Sequence, residues 1–103
     1  MKYKVFQIPF PNTEAEEKIY CRYAFMSLDR IDNVHFEYYS ETYSGDINTE
    51  NTDIYKILDD IFRDLNINHP SDYKGHSLSV SDIIEINEKY YFCDDFGWKE
   101  LKF

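Results

Sequence analysis

Apolar positions along this chain follow two rhythms, one of period two and one near 3.6, and they alternate from the N-terminus onward. Tyr3 to Ile8 alternates about Val5 and is rich in β-forming side chains, which predicts a first strand. Pro9 and Pro11 end it, because proline offers no N–H to a ladder. Asn12 or Thr13 suits a helix N-cap, with Glu14, Glu16 and Glu17 in the first turn where the helix dipole favours acids. Ala15, Ile19, Tyr23 and Met26 recur at helical spacing and predict a helix over 14–28, closed by the polar stretch 29–33. Val34 to Tyr43 is aromatic-rich and predicts a second strand, with Ser44-Gly45-Asp46 as the turn after it. Ile54, Ile57, Leu58, Ile61, Phe62 and Leu65 form a continuous apolar stripe, the clearest helix of the chain, with Thr52 as its N-cap. Asp53, Asp60 and Asp64 lie off that stripe, Asp59 and Arg63 are spaced to pair, and residues 66–70 stop the helix. Beyond Gly75, Leu78 and Val80 lead to a strand at Ile83, Ile84 and Ile86, and a turn at Asn87-Glu88-Lys89 leads to a strand from Tyr90 to Cys93. A turn over 94–97 and a short edge strand over 98–103 complete the order β-α-β-α-β-β(-β). This predicts one α+β domain over 1–103, a small mixed or antiparallel sheet with two helices on one face.

Composition sharpens the picture in two places. Ten Tyr and eight Phe supply much of the apolar bulk, so the core is expected to be aromatic, with tyrosine hydroxyls at its rim. Twenty acids against eleven bases give a formal net charge of −9, which disfavours direct binding to duplex DNA, since phosphate binding needs clustered Lys and Arg. The charge is uneven. Between Asp29 and Asp60 stand Asp29, Asp32, Glu37, Glu41, Asp46, Glu50, Asp53, Asp59 and Asp60, opposed only by Arg30 and Lys56. Cys21 and Cys93 match no zinc spacing and are expected as a reduced pair of small apolar residues. With no signal-peptide pattern at the start and no apolar run long enough for a membrane span, a cytoplasmic location is expected.

Candidate chemistry is thin. His69, His76, Cys93 and Asp94 have no metal-ligand spacing, and no cofactor motif is present; His69 reads as a turn residue before Pro70. Ser77, Ser79, Ser81, Asp82 and His76 contain the ingredients of a nucleophilic site, but no nucleophile elbow surrounds them. Ser79 or Ser81 is expected as a structural cap and His76 as a partner of its own loop backbone. Asp94 and Asp95 are adjacent, which suits a turn better than an acid–base pair. Gly75 and Gly97 are single glycines and make no phosphate-cradling loop. Phe36, Tyr38, Tyr39 and Tyr43 could stack bases, but Glu37 and Glu41 interrupt them and no basic residue interleaves. The sharper expectation is a non-enzymatic partner-binding patch of Glu37, Tyr38, Tyr39, Glu41, Tyr43, Asp46, Glu50 and Asp53, docking on a cationic surface.

The stretch Asp72-Tyr73-Lys74-Gly75-His76-Ser77-Leu78-Ser79-Val80-Ser81-Asp82-Ile83-Ile84, with Tyr90-Tyr91-Phe92-Cys93-Asp94-Asp95-Phe96-Gly97-Trp98, resembles the YodL-like domain of bacterial mobile elements. The likeness is strongest over 70–101 and looser over 3–65. That family supplies no catalytic residues to carry over. In this small acidic form the chain is similar to the anti-CRISPR proteins that inhibit type II RNA-guided nucleases. The resemblance implies a type II CRISPR effector as partner, with or without guide RNA, and a block of guide RNA assembly or nucleic-acid access. The alternative it leaves open is a generic interaction or antirestriction module of a phage or conjugative element.

Overall fold

In a computed structural model that describes residues 1–67, 70–73 and 75–102, five strands form one antiparallel sheet. The expectations for His69, and for Phe103 at the end of the last strand, lie outside the described residues. The elements are β1 (Lys2–Gln7), α1 (Glu14–Tyr23), β2 (Ser40–Asp46), α2 (Ile54–Ile67), β3 (Ile83–Ile86), β4 (Lys89–Asp94) and β5 (Gly97–Leu101). Their spatial order is β2-β1-β3-β4-β5. Among the described residues no helix is long and apolar enough to cross a membrane.

The register explains the two faces. Tyr3 pairs with Ile86, Val5 with Ile84, Ile84 with Tyr91 and Cys93 with Trp98, so these side chains share one face. The stripe Ile57, Leu58, Ile61 and Leu65 of α2 packs onto that face in a single cluster. Each of those side chains is nearly fully buried and stabilises the fold by about 1.5–3 kcal/mol through the apolar area it removes from water. The opposite face is also covered. Phe92 and Ile83 are fully buried there, and the Phe36 ring lies 4.9 Å from Phe6 and 5.2 Å from Tyr90. Three long-range bonds strap this second layer down. Phe25 N donates to Ser81 Oγ (2.9 Å), Leu28 N to Asp94 Oδ1 (3.1 Å), and Tyr39 Oη to the Ser81 carbonyl (2.6 Å).

Four boundaries differ from those read along the sequence, each for a local reason. The helix expected over 14–28 ends at Tyr23, because Ala24 turns to extended backbone and Phe25 takes φ 64°; a 3-10 turn, Leu28–Arg30, follows. The strand expected over 34–43 begins as a 3-10 turn, Phe36–Tyr38, and pairs only from Ser40. It then runs through Ser44-Gly45-Asp46, read as a turn, because Gly45 faces Tyr3 across the ladder. A Cβ at Gly45 would lie 2.6 Å from the Tyr43 ring and 2.7 Å from that of Tyr3, so this glycine serves close approach. Asp53, not Thr52, caps α2: its carbonyl accepts from Ile57 N (3.1 Å) and its Oδ1 from Tyr55 N (3.0 Å). Arg63 pairs with Asp60 (2.8 Å), while Asp59 accepts from Trp98 Nε1 (3.1 Å).

The C-terminal meander follows the expected pattern closely. Asn87 and Glu88 both have positive φ (53° and 65°), the geometry of a two-residue hairpin turn whose twist matches its strands. Gly97 opens β5 at φ 114°, a conformation that suits a residue without Cβ. Both cysteines are free, but only Cys93 is buried; Cys21 is exposed rather than a small core residue. Burial pushes the Cys93 thiol up to about 12, which leaves it unreactive.

Candidate partner-binding surface

The Ser/Asp-rich stretch before β3 builds a buried clasp. Gln7 sits inside β1 with no exposure, and Asp82 and Ser81 are nearly as deep. The Gln7 amide donates to the His76 carbonyl (2.9 Å) and to Asp82 Oδ2 (3.0 Å). Asp82 Oδ2 also accepts from Ser79 N (3.0 Å), and Tyr73 Oη donates to the His76 carbonyl (2.5 Å). His76 Nδ1 lies 2.8 Å from the Ser77 carbonyl and 3.2 Å from Gln7 Nε2. As expected, His76 serves its own loop backbone. Ser79 Oγ donates to the Ser77 carbonyl (3.3 Å), and Ser81 Oγ accepts from Phe25 N. Both hydroxyls therefore engage backbone. His76 Nδ1 stays 4.0 Å from the Asp82 carboxylate. The arrangement anchors Tyr73 and the loop over 75–82 to β1.

Burial raises the Asp82 carboxyl to about 6, against the lowering effect of the Gln7 and Ser79 bonds and of His76. The folded state therefore holds this proton more tightly than the unfolded chain. Stability falls as pH rises through the window between the ordinary carboxyl value and about 6. Acidifying from pH 7.5 to 4.5 is expected to stabilise the chain by about 2 kcal/mol in urea titrations, and Asp82→Asn to flatten that slope. Asp32 and Asp46, held below the usual carboxylate range by bonds from Tyr23 and from the N-terminal ammonium, act oppositely but at lower pH. A wild-type slope of the other sign between pH 4.5 and 7.5 would contradict the burial of this carboxyl.

The eight residues expected to bind a partner do not form one continuous patch. Glu37, Tyr38 and Tyr39 lie at the 3-10 turn before β2 and, with Ile8, Pro9, Glu16, Ile19 and Ser40, line a cleft of about 200 Å³. Tyr38 packs against Tyr23 and His35, with ring centroids 5.4 Å and 5.1 Å away. Tyr39 turns inward, and desolvation of its hydroxyl on the Ser81 carbonyl pushes its ionisation well above the tyrosine range. Glu41 and Asp46 are exposed on the edge strand β2, where Glu41 lies 3.7 Å from Lys4 Nζ and Asp46 2.8 Å from the Met1 ammonium. Tyr43 faces the α2 layer, against Tyr3 and Tyr73, and its hydroxyl reaches Asp72 Oδ1 at 3.4 Å. Glu50 is exposed in the loop before α2, and the exposed Asp53 caps that helix.

The carboxylates at 37, 41 and 46 thus have internal counter-groups: the His35 ring lies 3.4 Å from Glu37, beside Lys4 on Glu41 and the N-terminus on Asp46. All three pairs are at exposed carboxylates, where solvent screening makes such pairing weak and exchangeable. Sequence reasoning missed Glu16 as part of the cleft. Its signal was readable, because Thr13-x-x-Glu16 is capping-box spacing; Thr13 Oγ1 accepts from Glu16 N (3.1 Å) and Glu16 Oε1 from Asn12 N (2.9 Å). Gln7 was missed for lack of any local signal.

A family model described as YodL-like domain matches residues 2–103, and the chain belongs to that family. No curated protein and no solved structure matches it.

Proposed function

We propose that this YodL-like domain is a non-catalytic inhibitor that binds the basic nucleic-acid groove of a type II RNA-guided nuclease and blocks guide RNA assembly. The observation that supports the reading is the exposure of Glu37, Glu41, Asp46, Glu50 and Asp53 along one continuous run of chain, from the 3-10 turn through the edge strand to the cap of α2. Such effectors carry guide RNA and target DNA in a positively charged channel. A protein with net charge −9 is steered toward that channel and competes with a polyanion there. Tyr38, lining the cleft beside Glu37, supplies apolar area with a polar tip, a side chain enriched at interfaces. The clasp around Asp82 supports a binding role as well, since its hydroxyls are bonded to backbone and it works as a scaffold.

The test is direct binding of the pure chain to guide-free effector by calorimetry across a salt series. The expected result is tight association at low salt that weakens steadily as ionic strength rises, because exposed charge pairs are screened beyond about 10 Å at 0.1 M. Affinity independent of salt would rule out a charge-driven contact.

A further inference from the structure

The end of α1 has a backbone geometry that its residue does not suit. Helix α1 stops at Tyr23, Ala24 is extended, and Phe25 takes φ 64°. Just past a helix end, this left-handed region is where glycine is favoured, because a Cβ is crowded there. Phe25 instead holds up a ring that is 47 % exposed. The conformation is imposed from outside, by the bond from Phe25 N to the hydroxyl of buried Ser81, itself at φ 85°. A disfavoured backbone state, held in place by its surroundings and presenting an aromatic side chain to water, points to use of that side chain.

Phe25 belongs to a row. Its ring centroid is 5.9 Å from that of Tyr20 and 5.4 Å from that of His76, and Tyr20 is 5.4 Å from Phe10. Phe10 is 78 % exposed. Glu17, and Glu16 whose Oε1 already accepts from Asn12 N, lie one turn before Tyr20 on the same side of α1, whereas Lys18 and Arg22, two residues either side of it, lie on the opposite side of the helix. The row is therefore flanked by negative charge. A purely apolar occupant would leave the Glu17 carboxylate unanswered, and a nucleic-acid strand would bring phosphates against both acids. Lysine supplies charge without a plane. A guanidinium stacks flat on aromatic rings and donates in a fork to carboxylates.

We propose that the Phe10–Tyr20–Phe25–His76 row is a docking surface for an arginine-bearing segment of the partner protein. This rests on the reading of the chain as a ligand of a basic protein surface, and it adds a contact face outside residues 37–53. The test uses nona-arginine and nona-lysine peptides titrated into the full chain, with amide NMR shifts as the map. Nona-arginine is expected to bind about fivefold more tightly than nona-lysine, with shifts centred on residues 10, 20, 25 and 76. Phe25→Gly suits the backbone and removes the ring, so its Tm should hold or rise while the arginine preference disappears. Phe10→Ala, at the most exposed ring of the row, should lose that preference with Tm unchanged. Equal affinity for the two peptides, shifts confined to residues 37–53, or a Phe10→Ala variant that keeps the preference would each overturn the proposal. Neither peptide involves a nuclease, so this outcome is separate from the success or failure of the inhibitor reading.

Discussion

Alanine at Gly75 is expected to destabilise the chain by about 4 kcal/mol, seen as a large drop in the urea midpoint. A Cβ there would lie 2.3 Å from Gln7 Oε1, 3.1 Å from Tyr73 Oη and 3.2 Å from Thr42 Cβ. Gln7 cannot swing aside freely, because it is fully buried and its amide nitrogen is bonded to the His76 carbonyl and to Asp82. Displacing it breaks both bonds and strands buried polar groups, each costing about 1–3 kcal/mol, on top of the overpacking itself. An unchanged midpoint would show that the amide is not held as described and that the loop over 75–82 does not depend on it.

Reversing Glu37, Glu41, Asp46 and Asp53 together to lysine is expected to weaken binding to a guide-free type II effector by at least about 100-fold near physiological salt. On the inhibitor account each reversal would replace an attraction with a repulsion at the cationic groove, and like charges brought together are strongly penalised. Asp53 needs a control because it caps α2 through Tyr55 N. Lysine there forfeits about 1 kcal/mol of fold stability, whereas Asp53→Asn keeps the cap and removes only the charge. The triple reversal with Asp53→Asn should therefore bind poorly while melting close to wild type. A quadruple variant that inhibits as well as wild type would show that these carboxylates are not the contact.

Much of the fold was legible because its signals were local. The stripe from Ile54 to Leu65 specified α2, and the alternation about Val5 specified β1. Asn87-Glu88 and Gly97 marked the two tight turns of the final meander. The boundaries that moved depend on distant partners. Nothing near Phe25 announces that a serine 56 residues away will hold its N–H and end α1. Gly45 reads as a turn unless the Tyr3 ring across the ladder is known.

The site was legible in composition and not in direction. Sequence identifies the acids between 37 and 53 but not which way a neighbouring ring points. Tyr39 turns inward because its hydroxyl finds the Ser81 carbonyl 42 residues on, and Tyr43 turns toward α2 because it pairs across the ladder with Val5, a core residue of that face. Gln7 looked like an ordinary polar position in an alternating strand. Its buried role depends on Asp82, 75 residues further along the chain.

The most direct test of the inhibitor account is the order of addition. The chain is mixed with a type II effector either before or after guide RNA, and target cleavage is then measured. The account predicts strong inhibition when the chain precedes the guide and little when it follows, since the groove is then already filled by a polyanion. Equal inhibition in both orders, or none in either, would contradict it.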